Sequence, residues 1–275
     1  PKWADPFYYS ALTHLRIGKS DLAQQSIDTA LQNNPRNDRY HALAAQIYLV
    51  RGDSNGAGKE ASIALRINPR NFTAVKILAK SLVQAKEFDK AIKLIEGIEK
   101  QVTGDAELIG SLSIAYLGTG ENEKAKESLT RLLEIVPDNS RSLALLAAIT
   151  TNNDIPKSID FVKSQIDKSN TGGHYLLLGE LYVRNKQPHE ALDAFLQAQQ
   201  LNPENPRPYL LRARLLHQTK QTDVAIAEYN ALLAKQPDSI PGNMGLATIF
   251  DSQGKHAKAK ELYTRILQLN RMLKR

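Results

Sequence analysis

The sequence predicts an all-α fold, a right-handed α-α superhelical solenoid of about eight helix-turn-helix repeats. Three observations predict it: prolines at a regular period, small residues at two fixed positions of that period, and apolar residues at helical spacing between them. The steps between successive prolines of the series are 34, 68, 66 and 34 residues, which fits a 34-residue period with one shorter repeat. These prolines are Pro35, Pro69, Pro137, Pro203 and Pro237.

Small residues recur in register with the prolines. If the repeat is divided into 34 positions with the proline at position 32, position 8 is small in all eight repeats: Ala11, Ala45, Ala79, Ser113, Ala147, Gly179, Ala213 and Ala247. Position 20 is alanine in every repeat except the fifth, where Ser158 lies nearest: Ala23, Ala57, Ala91, Ala125, Ala191, Ala225 and Ala259. A short side chain at both positions lets two helix backbones approach closely, so each repeat is predicted to be a pair of packed helices.

The apolar residues between these positions have the period of a helix. In the fourth repeat Ile109, Leu112 and Tyr116 lie at i, i+3 and i+7, which predicts the first helix of the pair. The break Gly118-Thr-Gly120 separates it from a second pattern that begins at Ala125. Five of the eight repeats then end at a proline, which cannot continue a helix.

The period divides the chain into eight repeats after an N-terminal tail at 1–3. In order, they are 4–37, 38–71, 72–105, 106–139, 140–171, 172–205, 206–239 and 240–273. Repeats 1–4 therefore occupy 4–139 and repeats 6–8 occupy 172–273, with a shorter, irregular fifth repeat between them.

The fifth repeat lacks one residue in each of its turns. Its second helix is predicted to begin at Ile155-Pro156 and to end at 170–173. Gly172 and Gly173 are expected to add backbone freedom there. Residues 150–173 are therefore predicted to form a weak joint between the two regular blocks, since the weakest interface decides where a stacked array divides.

The sixth repeat carries a recognisable motif. Its residues match the pattern W-x₂-L-G-x₂-Y…A-x₃-F…P at Tyr175, Leu178, Gly179, Tyr182, Ala191, Phe195 and Pro203. The chain resembles the tetratricopeptide repeat (TPR) family over nearly its whole length. Arrays of this family usually close with a polar helix, which is absent before Arg275, and this predicts a fragment of a longer protein.

The resemblance also extends to a subgroup of the family. Degenerate repeats such as QGKHAKAKELYTRILQLN are similar to those of long bacterial TPR proteins of the cell envelope, including lipoproteins associated with exopolysaccharide export and protein sorting. This resemblance implies a bacterial protein of the periplasm or envelope rather than the cytoplasm. The absence of cysteine fits both compartments.

No catalytic, metal or cofactor site is predicted. The chain has no cysteine, and its six histidines form no H-x₃-H or H-E-x-x-H pair. The segment 53–60 resembles a phosphate-binding loop, but Asp53 and Glu60 replace the glycine and the hydroxyl residue that such a loop needs. No apolar run is long enough to span a membrane. The covered chain is therefore interpreted as a non-enzyme without a cofactor.

The resemblance implies a concave groove lined by positions 5 and 9 of the first helices. The candidate groove residues are Tyr8, Leu12, Gln46, Lys76, Lys80, Ile114, Leu176, Glu180, Leu210, Arg214 and Met244. A protein or peptide is the expected partner, bound without catalysis in the assembly of a multiprotein complex. At each position, the alternative is that the side chain faces solvent or a neighbouring helix.

Two other functions stay open from the sequence. The array is alternatively the substrate-recognition arm of an enzyme whose catalytic domain lies outside these residues. Binding of nucleic acid is the third hypothesis, because the formal net charge is +7. Acidic repeats at 106–139 and 172–205 interrupt the basic stripe that a phosphate backbone needs, which argues against it.

Overall fold

The computed structural model describes residues 4–98 and 104–273, so the predicted tail at 1–3 lies outside the described residues. Over these ranges the chain forms sixteen α-helices and no strand, and the predicted all-α class is confirmed. The helices are α1 (Asp5–Arg16), α2 (Ser20–Asn33), α3 (Asp38–Val50), α4 (Ser54–Ile67), α5 (Phe72–Gln84), α6 (Phe88–Glu96), α7 (Ala106–Thr119), α8 (Asn122–Ile135), α9 (Ser140–Thr151), α10 (Ile155–Ile166), α11 (Gly172–Arg184), α12 (Pro188–Leu201), α13 (Pro206–Gln218), α14 (Thr222–Lys235), α15 (Ile240–Ser252) and α16 (His256–Leu273).

The chain forms two compact units, Pro1–Ile135 with α1 to α8 and Val136–Arg275 with α9 to α16. Within each unit the two helices of a repeat pack against each other, and the second helix packs on the first helix of the next repeat. In the first unit, the first helices α1, α3, α5 and α7 also contact one another in sequence. The short fifth pair, α9 and α10, belongs to the second unit.

The small residues lie where the two helices of each pair meet. All the position-8 alanines are at most 2% exposed, and Ser113 is completely buried. A side chain at Gly179 would overlap the ring of Phe195 on the facing helix. The position-20 alanines are equally buried, and Ser158 takes their place in the fifth pair at 4% exposure. The predicted packing role of both positions is confirmed.

The turn inside each pair requires a left-handed backbone at position 15. Glycine supplies it in four repeats and lysine in three, at Gly18, Gly52, Gly120, Gly254, Lys86, Lys186 and Lys220. The fifth turn, at 152–154, is as long as that at 51–53 but places two consecutive residues in this region, Asn152 at φ 51° and Asn153 at φ 61°. Asparagine tolerates this conformation better than most residues. The predicted loss of one residue from each turn was wrong, because the repeat is shortened in its helices: α9 and α10 have 12 residues each, whereas α3 has 13 and α4 has 14.

Each first helix from α3 onward begins with a side-chain cap. The capping oxygens accept the backbone N–H two or three residues later, at Asn37, Asn71, Asp105, Asn139, Thr171, Asn205 and Ser239. Capping satisfies N–H groups that have no partner within the helix. The proline therefore ends one helix, and a capping residue two positions later starts the next one.

The structure corrects the predicted exit of the fifth repeat. Its second helix begins at Ile155 as predicted, but it ends at Ile166, and Gly172 and Gly173 are buried residues of α11. The Gly173 N–H donates to Asp138 Oδ1, and a Cβ at Gly173 would overlap the Asp138 carbonyl oxygen. The expected backbone freedom was wrong, because these glycines allow close packing. The weak joint at 150–173 stays a prediction.

Two alanines on α14 test the packing of the small positions. Ala225 is completely buried at position 20, whereas Ala227 is exposed two residues later. We expect Ala225→Leu to lower the free energy of unfolding by about 1–3 kcal/mol, because the added methyl groups force two backbones apart. Ala227→Leu is the matched control and should change it by less than about 0.5 kcal/mol. Equal effects in urea denaturation would contradict the packing role.

Gly52 tests the left-handed turn without a steric clash. Its φ is 81°, and a Cβ built there meets no atom within 4 Å, so only backbone strain changes on substitution. We expect Gly52→Ala to cost about 1 kcal/mol and Gly52→Asn to cost less. Thermal unfolding of the three proteins under identical conditions measures the order. Loss of stability that is the same for alanine and asparagine would show that strain does not govern this turn.

Candidate functional site

The candidate groove residues divide between the two units. Six lie in the first unit and five in the second, from Leu176 to Met244. Most are accessible: Gln46, Lys80, Arg214 and Met244 are exposed, and Tyr8, Leu12, Lys76, Ile114, Glu180 and Leu210 are half-buried. Leu176 is 2% exposed and forms part of the core of its unit, so it offers no surface to a ligand.

Three of these residues share one cleft in the first unit. Gln46 on α3 and Lys76 and Lys80 on α5 line a cleft of about 550 Å³, which we call the lysine cleft. The other lining residues are Leu49, Val50, Phe72, Thr73, Ile77 and Glu107. The cleft therefore lies on successive first helices, the face on which the candidate residues were predicted.

The lysine cleft also has apolar lining residues. Val50 is 61% exposed at the end of α3, and Phe72 is 42% exposed at the start of α5. Ile77, only 6% exposed, lines the cleft and belongs to the core of the unit. Large apolar side chains that stay open to solvent beside a cleft are typical of a surface that contacts another molecule.

The two lysines of the cleft differ in their partners. Lys76 Nζ lies 2.5 Å from Asp105 Oδ2 and 3.9 Å from Glu107 Oε2. Lys80 forms no ion pair with any residue in the described part of the chain. The charge of Lys76 is thus used within the protein, whereas that of Lys80 is available to a ligand.

Asp105 explains why Lys76 is held in place. Its Oδ1 accepts the N–H groups of Glu107 and Leu108 at 3.1 Å each, which caps α7, while Oδ2 accepts from Lys76. Burial by itself would raise the pKa of Asp105, but the hydrogen bonds from Lys76 and from the backbone outweigh it and hold the pKa below its usual value. Lys76 consequently joins α5 to the start of α7.

Sequence reasoning missed two-thirds of the cleft lining. Phe72 and Thr73 precede Lys76 by four and three residues, and Val50 follows Gln46 by four. Side chains at these spacings share one helix face. Extending the predicted set of groove residues by one helical turn at each end would therefore have included these three residues. Glu107 carries no such signal, because only the packing of α7 beside α5 brings it to the cleft.

Other candidate residues have structural contacts outside this cleft. The Tyr8 ring stacks on that of Tyr40 with centroids 5.3 Å apart, and the Arg39 guanidinium lies 5.2 Å from the Tyr8 centroid. Burial and a hydrogen bond to Asp5 raise the pKa of Tyr40 to about 12. In the second unit, Glu180 accepts a hydrogen bond from Arg207 at 2.7 Å.

The segment that resembles a phosphate-binding loop is the start of α4. Asp53 Oδ1 caps this helix by accepting the Gly56 N–H at 2.8 Å, as the repeat frame predicts for an ordinary turn between helices. A Cβ at Gly56 would crowd Asp53 and the ring of Tyr48. The glycine therefore serves local packing.

Histidine also has a packing role where it is buried. His41 Nδ1 bonds Glu60 Oε2 at 2.7 Å, and its Nε2 bonds the Pro35 carbonyl oxygen at 2.9 Å. Both partners are acceptors, so both ring nitrogens donate, and the bond to Glu60 raises the pKa of His41. Among the described residues, no group of three or more His, Cys, Asp or Glu side chains is placed to hold a metal ion.

Two family models match the chain. One model described as tetratricopeptide repeat matches residues 10–71 and 176–240, and a second with the same description matches 82–149. Together the matches cover more than half of the chain.

Curated proteins that match the chain are about a quarter identical to it over the aligned residues. The human protein O-mannosyl-transferase TMTC1 is 26% identical over 175 residues, and the bovine BBSome complex member BBS4 is 23% identical over 234 residues. The aligned segments cover 62% and 82% of this chain but only 20% and 45% of those two proteins.

Solved structures share the fold at 14% and 16% sequence identity. A tetratricopeptide repeat protein from Parabacteroides merdae has a TM-score of 0.58 at 14% identity, covering 91% of this chain and 100% of that one. PilW, a type IV pilus biogenesis factor, has a TM-score of 0.57 at 16% identity, covering 77% of this chain and 99% of that one. None of the helices in the described residues is long and apolar enough to cross a membrane.

The two lysines give a matched test of the cleft geometry. We expect Lys76→Met to lower the free energy of unfolding by about 0.5–1 kcal/mol, because it leaves the half-buried Asp105 without its cation. Lys80→Met should leave stability unchanged. Since the pKa of Asp105 is depressed, its contribution is present above the unfolded pKa and lost as pH falls through the folded one.

The difference between wild type and Lys76→Met should therefore shrink below about pH 4. Chemical denaturation at pH 7 and at pH 3 measures both effects. A difference that persists undiminished at pH 3 would contradict the assigned role of Asp105.

Proposed function

Because the chain belongs to the tetratricopeptide repeat family, as its sequence predicted, we propose that it is a non-catalytic scaffold that binds a segment of a partner protein, with the lysine cleft as a contact site. The observation that carries this proposal is that Lys80, which has no ion-pair partner among residues 4–98 and 104–273, lines one cleft with the exposed side chains of Phe72 and Val50. A cation and exposed apolar side chains in one cleft recognise an acidic residue and a large apolar residue together.

The spacing along α5 limits the partner sequence. Phe72 and Lys80 are eight residues apart on one helix, which corresponds to a rise of about 12 Å. An extended peptide advances about 3.3 Å per residue, so its acidic and apolar side chains would stand about four residues apart. A helical peptide would need about eight residues for the same distance.

The charges at the middle of the cleft determine where the peptide can carry an acidic residue. Lys76 lies between the two ends but is neutralised by Asp105, and Glu107 adds a carboxylate at the same level. A second acidic residue at the centre of the peptide would meet this carboxylate and be disfavoured. The preferred peptide therefore has one acidic end, a neutral centre and one apolar end.

An alternative is that the array is the substrate-recognition arm of an enzyme. The human O-mannosyl-transferase relative supports this alternative, since the aligned segment is a minor part of a protein named as a transferase. In that case, loss of Lys80 in the full-length enzyme would raise KM for a protein substrate and leave kcat unchanged. A scaffold has no such activity to alter.

The narrower assignments from the sequence remain proposals. A role in bacterial exopolysaccharide export, and a place in the envelope, rest on the style of the repeats alone. Binding of nucleic acid would require an affinity that falls steeply with salt and does not depend on Phe72. Measuring how the affinity of a selected ligand changes with salt concentration therefore distinguishes nucleic-acid binding from the peptide proposal.

Selection of a random 12-residue peptide library displayed on phage tests the scaffold proposal. We expect the enriched peptides to carry an acidic residue and an aromatic or branched apolar residue at the spacing given above. Lys80→Glu and Phe72→Ala should each weaken binding of a labelled selected peptide about tenfold or more in fluorescence anisotropy.

Lys93→Glu is the matched control, because it makes the same charge change on an exposed lysine of α6 outside the cleft. The affinity of this variant for the selected peptide should stay within about twofold of that of the wild-type protein. Selected peptides that bind the Lys80→Glu and wild-type proteins equally would remove the lysine cleft from the proposal.

A further inference from the structure

A second depression lies on the opposite face of α5. We call it the α4–α6 groove; its volume is about 940 Å³, and α4, α5 and α6 form its walls. Its residues on α5 are Leu78, Ser81 and Leu82, followed by Ala85 directly after the helix, and they lie at helical spacing on the side away from the lysine cleft. The groove is therefore separate from the site of the proposed function.

Two substitutions within the repeat frame create this groove. Gly58 occupies position 21, where three other repeats carry Ile92, Leu192 and Ile226 and three carry the long polar residues Gln24, Lys126 and Lys260. Ser81 occupies position 10, where five other repeats carry Ile47, Ile149, Leu181, Leu215 and Ile249 and two carry Thr13 and Ala115. The two small residues face each other, since a Cβ at Gly58 would lie 3.3 Å from the Ser81 Cβ. Large side chains that fill this space elsewhere are thus missing from the same interface.

Ser81 leaves a polar group unsatisfied at the floor of the groove. The residue is 5% exposed, and its Oγ has no hydrogen-bond partner among the described residues. A buried hydroxyl without a partner is unfavourable, and an apolar residue would avoid the cost. Five of the other repeats carry a large apolar residue at this position. The serine in the wall of an open groove therefore points to a ligand that uses the space.

The groove combines an apolar floor with a basic rim. Ile63, Leu78, Leu82 and Leu94 supply the apolar lining. Lys59, Arg66 and Lys90 are basic lining residues of the groove. Among the described lining residues Glu87 alone is acidic, and it forms an ion pair with Lys90. The rim is therefore net positive, which favours an occupant with apolar residues on one face and acidic residues on its flanks.

We propose that the α4–α6 groove binds an acidic amphipathic helix of a partner protein. The groove follows α4 from Ser54 to Arg66, a rise of about 18 Å, which matches about three turns of a docked helix. Such a helix inserts apolar side chains at i, i+3, i+4 and i+7 over the floor, as in other helix-in-groove interfaces. Gly58 and Ser81 provide the depth that its central side chain needs, and the rim cations meet its acidic flanks.

The test uses two synthetic, fluorescein-labelled 16-residue peptides. Both carry leucine at i, i+3, i+4, i+7 and i+11, and the remaining positions are alanine and glutamate in one peptide and alanine and lysine in the other. We expect the acidic peptide to bind the wild-type protein in fluorescence anisotropy and the basic peptide to bind at least tenfold more weakly. Failure of the acidic peptide to bind, or equal binding of both, would overturn the proposal.

Ser81→Ile is the decisive variant. It restores the residue type of other repeats, fills the groove and removes the unpaired hydroxyl, so the protein should remain at least as stable to heat. We expect its affinity for the acidic peptide to fall at least tenfold, and Lys59→Glu with Arg66→Glu to have a similar effect. Lys93→Glu, on α6 but outside the lining, should change affinity less than twofold. Undiminished binding to Ser81→Ile would overturn the proposal.

Hydrogen exchange of the wild-type protein gives a readout that does not depend on the variants. Binding of the acidic peptide should protect amides in 54–66 and 78–94 and leave the first-helix residues 46–50 unchanged. Protection confined to 46–50 and 72–80 would place the peptide in the lysine cleft and overturn the groove assignment. Dodecanoate is a further probe: if it binds in a Ser81-dependent manner and the peptide does not, the occupant is an anionic amphiphile and the proposal is wrong.

Discussion

Close contact between two helix backbones is the constraint on which each repeat depends. At positions 8 and 20 the side chains are short and almost completely buried, from Ala11 to Ala259. A helix pair of this kind has too little apolar surface to be stable alone, so the pairs must also stack on their neighbours. Once the two small positions fix the pair geometry, the larger apolar residues can fill the remaining space only in one register.

The turns connect the packed helices at regular intervals along the chain. A left-handed residue at position 15 turns the chain between the two helices, and a capping side chain at position 34 starts the next pair. Each of these two positions must meet a requirement of the backbone, and several residue types can meet it. The fifth repeat shows this freedom, because Asn152 and Asn153 form its turn without glycine and Gly173 brings α11 against Asp138. Its shorter length lies in the helices, since α9 and α10 have 12 residues each, and the two still pack as a pair.

Residues outside this framework are free to serve binding, and α5 shows how. One face of α5 carries two lysines, of which Lys76 holds the start of α7 and Lys80 has no ion-pair partner in the part of the chain that the structure describes. Its other face carries Ser81 in the wall of a groove, where five other repeats carry a large apolar residue. The stability of the array explains Lys76, but it explains neither Lys80 nor Ser81.

The sequence by itself determined the fold class and the family, because the 34-residue period and the recurring alanines are local signals repeated many times. It also placed Gln46, Lys76 and Lys80 on one surface, since the first helices follow one another in register. Only the tertiary structure decided which lysine has an ion-pair partner among the described residues, because Asp105 and Glu107 reach Lys76 from the start of α7. The burial of Leu176 and the close packing of Gly172 and Gly173 were likewise beyond the sequence, because both depend on contacts between residues distant in the chain.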